Sequence, residues 1–86
     1  MSTTITSDLL KAKIVTDDEV NAVVEVFMRD PTLILFQFAS GHTLDAAAAV
    51  KEHAPAASAV ADPDRTEKFR RGMVRTAILR ARPTAP

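Results

Sequence analysis

The residues best equipped for chemistry in this chain are five cations, Arg65, Lys68, Arg71, Arg75 and Arg82, spaced three, three, four and seven positions apart. At about 100° per residue, those intervals keep side chains on one half of a helix, so the five predict a continuous basic face. Such a face can neutralise backbone phosphates or dock on an acidic protein surface. It has no interleaved polar side chains to read base edges, so a nucleic-acid role would be limited to backbone contact. The competing reading is a solvated face balanced by acidic helices of the same molecule.

Other reactive residue types are sparse. His42 and His53 are eleven positions apart and the chain has no cysteine, so neither an i, i+4 histidine pair nor a thiolate site is available and no metal is expected. Asp17, Asp18 and Glu19 resemble paired carboxylates for acid/base work, but at a helix start they serve as first-turn anions facing the helix dipole. Ser40-Gly41-His42 sets a hydroxyl near an imidazole. Positions this close are not expected to bring the two side chains into nucleophile–base geometry, and no strand-to-helix elbow surrounds them. With only Gly41 and Gly72, there is no glycine-rich loop to cradle a phosphate. The expectation is a non-catalytic protein with no cofactor.

The second candidate surface is apolar. The run from Asp30-Pro31 to Ser40-Gly41 contains Leu33, Ile34, Leu35, Phe36 and Phe38, interrupted in its apolar part only by Gln37. Asp30 suits an N-cap, Pro31 a first helical position and Gly41 a left-handed residue after a helix end, so the punctuation predicts a helix over residues 31–40. A buried strand is the alternative, since so short a run does not separate the two by periodicity. On a helix, these side chains would point all round the axis, which requires wrapping by other helices or sharing with a second copy. Together with Phe69 and Met73 on the last helix, they form the candidate partner-binding set.

The elements that must position these groups follow from capping and periodicity. Thr16-Asp17-Asp18-Glu19 is a capping box, and Val20, Val23, Val24 and Phe27 repeat at i, i+3, i+4 and i+7, predicting an amphipathic helix over 16–29. Thr43 as a cap and four consecutive alanines predict a helix over 43–53. Pro55 leaves 54–61 as a loop or one short helix, and Asp62-Pro63 opens a last helix over 63–82, stopped by Pro83. Gly72 within it reads as a point of close backbone approach. A short helical piece over 8–12 precedes them. Residues 1–6 and 83–86 are expected to be disordered tails around a single helical domain over 7–82. A helix-turn-helix formed by 43–53 and 55–61 lacks the turn glycine and offers base edges only Ser58.

Composition sets the limits. An 86-residue chain forms one small domain, and 47 % apolar residues are enough to pack it. The absence of Trp and Tyr removes the usual stacking platforms for single-stranded nucleic acid. The amino terminus has no charged region followed by an apolar core, and the longest apolar run falls far short of the roughly 20 residues that span a bilayer. A cytoplasmic protein without a membrane partner is expected. Formal charge is zero overall, but residues 1–62 carry nine acids against four cations, and residues 63–86 carry seven cations against two acids. The chain therefore reads as an all-α bundle with an acidic body and a basic carboxy-terminal helix. Its expected function is that of a small regulatory or accessory binding protein, associating with itself or a foreign protein and steered by the basic helix. Phosphate-backbone binding is the alternative.

Overall fold

The structure is a computed structural model describing residues 4–30, 32 and 35–85. Among these, five helices pack together: α1 (Thr6–Lys11), α2 (Asp17–Arg29), α3 (Ala46–Glu52), α4 (Ala54–Ala61) and α5 (Glu67–Arg80). Between α2 and α3 lies a small hairpin of β1 (Phe36–Gln37) and β2 (Thr43–Leu44). The fold is all-α in class, with α5 as the central element against which α1, α2, α3 and α4 all pack.

Local chemistry accounts for most of the boundaries. Thr16 Oγ1 accepts from the Glu19 amide at 3.2 Å while the Glu19 carboxylate accepts from the Thr16 amide at 3.2 Å, the reciprocal cap its sequence predicts. Val20, Val23, Val24 and Phe27 are buried along one stripe of α2. They meet Val74, Ala77 and Ile78 of α5, with Val15 and Phe38 closing the core. Small side chains let α4 approach closely, and Ala56 and Ala59 are its buried positions.

Two predicted helix starts are corrected by competing caps. Asp45, not Thr43, accepts from the Ala48 amide at 3.0 Å, so α3 starts at Ala46. Thr66, not the Asp62-Pro63 pair, accepts from the Phe69 amide at 3.1 Å, so α5 starts at Glu67. Asp62 instead accepts from the Asp64 amide at 2.9 Å and makes a turn. Residues 54–61 are helical, with Pro55 tolerated in the first turn. Neither tail is free at its inner end. The buried Thr6 donates its amide to the Ala81 carbonyl at 2.9 Å, and Thr84 exchanges two backbone hydrogen bonds with Thr43 at 2.9 and 2.7 Å.

The predicted helix over 31–40 does not form within its described residues. Phe36 pairs with Leu44 and Gln37 with Thr43, antiparallel. Phe38 donates to the His42 carbonyl at 2.8 Å and Gly41 to the Phe38 carbonyl at 2.9 Å. Gly41, at φ 92°, is therefore the left-handed third residue of a hairpin loop rather than the residue after a helix. Two-residue alternation explains the burial. Phe36 and Phe38 face inward with rings 5.3 Å apart, and Leu35, Gln37 and Ala39 face solvent. Gly72 is also corrected, because a Cβ there would meet nothing within 4 Å; it lies on an exposed part of α5. No helix among the described residues is long and apolar enough to cross a membrane.

Candidate functional site

The basic face is built by α5, and its middle belongs to α2. Arg71 reaches Glu25 of α2 and Glu67 of its own helix, each at 3.1 Å. Arg75 donates to Asp17 at 2.8 Å and to Asn21 at 3.4 Å. Asp17, Asn21 and Glu25 are spaced i, i+4, i+8 on α2, and Glu67, Arg71 and Arg75 repeat that spacing on α5. The later α2 residue meets the earlier α5 arginine, so the two stripes run antiparallel and set two arginines against two carboxylates.

The remaining cations separate to the two ends of α5. At the amino-terminal end, Arg65 lies 3.4 Å from Asp62 and stacks over the Phe69 ring at 4.9 Å, while Lys68 is exposed with no carboxylate partner among the described residues. At the other end, Arg82 lies beyond the helix and borders a groove with Arg80, a cation the stripe pattern does not include. The five predicted cations therefore form no single free patch.

The apolar set divides as well. Phe38 is only 2 % exposed and belongs to the core, and Phe36 is half-buried against it. Leu33 and Ile34 lie outside the described residues. Leu35 is 60 % exposed at the edge of a groove of about 720 Å³, bordered by α3, the end of α5 and the segment carrying Arg82 and Thr84. Phe69 is 43 % exposed and, with the half-buried Met73, lines a second groove of about 270 Å³ closed on its far side by Pro55, Ser58 and Ala59 of α4. The two grooves share no residue. Helical spacing along α5 points to the Phe69 side of the second groove, but the contribution of α4 has no sequence signal beyond its small residues.

The remaining reactive groups have local roles. Ser40 Oγ and His42 Nδ1 are 2.8 Å apart, so the expectation that these positions do not meet is corrected; the three-residue loop folds them together. Neither residue lines either groove, and no carboxylate engages the other ring nitrogen among the described residues. His53 closes α3 and precedes α4. The described residues contain no cluster of three or more metal-ligating side chains. Asp30 accepts from both the hydroxyl and the amide of Thr32, which together hold its carboxyl below the ordinary value, the hydroxyl contributing most.

No protein-family model matches the chain, and comparison with curated proteins and with solved structures found no match.

Proposed function

We propose that this chain is a small cytoplasmic binding protein, regulatory or accessory in role and non-catalytic, that docks on another protein chain. The observation that carries this reading is the exposure of Phe69 beside Met73 in a groove between two helices, while the arginines next to it are held by carboxylates. A half-exposed aromatic ring in an apolar recess, bordered by a guanidinium, has the composition of a protein-binding anchor. Lys68 and Arg65 at the rim supply steering.

A photo-crosslinking residue at position 69 tests this in cells, with one at Lys11 as control. The reading expects protein adducts from position 69 well above those from position 11. Equal yields at the two positions would contradict it.

Phosphate-backbone binding remains a second reading because Lys68, Arg80 and Arg82 are exposed and have no carboxylate partner among the described residues. Adducts to nucleic acid from position 69 would favour that reading instead.

A further inference from the structure

The hairpin leaves one edge open, and its hydrogen-bond alternation identifies what fits there. In an antiparallel pair, successive residues point their backbone groups alternately toward and away from the partner strand. Phe38 bonds His42 across the hairpin and Phe36 is aligned with Leu44, so the N–H and C=O of Gln37 and Thr43 point outward. On the β2 side, those outward groups are satisfied, because Thr43 exchanges both hydrogen bonds with Thr84. That edge is then finished by Pro83, which has no N–H to offer a further strand.

The β1 side has no such finish. The outward amide of Ala39 is taken by the Glu19 carboxylate at 2.7 Å, but the backbone groups of Gln37 have no partner among the described residues. Leu35 immediately precedes β1, and extending the strand by that one residue carries the same alternation to it, which turns its groups outward. From Leu35 to Phe38 there is no charge, no proline and no bulge, the devices by which natural sheets blunt an edge.

We propose that the β1 edge pairs antiparallel with the β1 edge of a second copy of this chain. Placing Phe36 opposite its own counterpart sets Leu35 of each copy against Gln37 of the other, and the outward groups of both residues are then exchanged. This register leaves Ala39 with its carboxylate, and it opposes no like charges, which would destabilise a cross-strand pair. The result is a continuous sheet running from one Thr84 through both hairpins to the other Thr84. Its inner face is lined by Phe36 and Phe38 of both copies, with Leu35 and Gln37 on the outer face. The inference rests on the docking reading only in taking the partner to be a protein chain.

Sedimentation equilibrium of the full chain between about 10 μM and 1 mM, where small interfaces dissociate, tests it. The mass should rise from the 9.3 kDa of one chain toward twice that value. Exchange of the Gln37 amide should slow as concentration rises. Gln37→Pro removes the outward donor while leaving both inward-facing pairs intact, and should weaken association at least about tenfold. Gln37→Ala keeps the backbone groups and should associate as the wild type does. If Gln37→Pro does not fold, Leu35→Lys charges the same edge through an exposed side chain and should produce the same loss. A mass of 9.3 kDa across the whole range would overturn the pairing, as would a dimer that these edge variants leave intact. A dimer lost in Phe69→Ser but kept in the edge variants would overturn the strand pairing and support docking through the Phe69 groove.

Discussion

Ile78 and Phe69 belong to the same helix and illustrate two uses of a large apolar side chain. Ile78 has no exposed surface and is packed within the core, so Ile78→Ala leaves a cavity and should cost about 3 kcal/mol in urea unfolding. Phe69→Ser removes a half-exposed ring and should change stability by no more than about 1 kcal/mol while abolishing cross-links from a photo-crosslinking residue placed at Met73 of the same groove. Equal destabilisation by the two would make Phe69 a core residue and remove the argument for docking. The Asp30–Thr32 pair makes a prediction about pH. The Asp30 carboxyl is depressed, so its contribution to stability is present above the unfolded-state pKa and is lost as pH falls through the lower folded-state value. Thr32→Val removes the largest cause, and the Asp30 midpoint followed by NMR should rise toward the ordinary 3.8. An unchanged midpoint would contradict the assignment.

At the level of elements, Gly72 gives the plainest test. Its surroundings are open, it sits inside α5, and glycine is unfavourable there, so Gly72→Ala should stabilise the chain by about 0.5–1 kcal/mol. Destabilisation would mean that the position is constrained by something other than its own helix. Legibility also varies by element. The cap and apolar stripe of α2 are both local, and Thr16, Glu19, Val20, Val23, Val24 and Phe27 carry them in the sequence. The 31–40 segment is different: Asp30 accepts from Thr32 instead of capping a helix, and Gly41 serves a hairpin loop as readily as a helix end. The deciding partner, Thr43-Leu44, shows no strand pattern of its own because it is two residues long. The sequence predicts Thr43 as the helix cap, whereas the nearby Asp45 performs that role. The α4 side of the Phe69 groove was likewise not legible, since alanines announce close packing without saying against what.

For the molecule as a whole, the acidic body and basic carboxy-terminal segment meet in one interface between α2 and α5. The opposition of charge was visible in the composition, but its pairing was not, because Arg71–Glu25 and Arg75–Asp17 span 46 and 58 positions. These pairs are substantially exposed, so each contributes at most about 1 kcal/mol to stability, and in the folded chain they set carboxylates against the middle of the α5 face, where another anion must compete with them. The most direct test is affinity for a generic DNA duplex across a salt series. Five phosphate contacts by Arg65, Lys68, Arg71, Arg75 and Arg82 would give a slope of log affinity against log salt of about −4.5. With Arg71 and Arg75 held by α2, any binding should come from Lys68, Arg80 and Arg82, with a slope no steeper than about −2.7 and no change in the Arg71→Ala/Arg75→Ala variant. A slope near −4.5 that falls in that variant would show that α5 releases its carboxylates to bind phosphate, and would contradict the account.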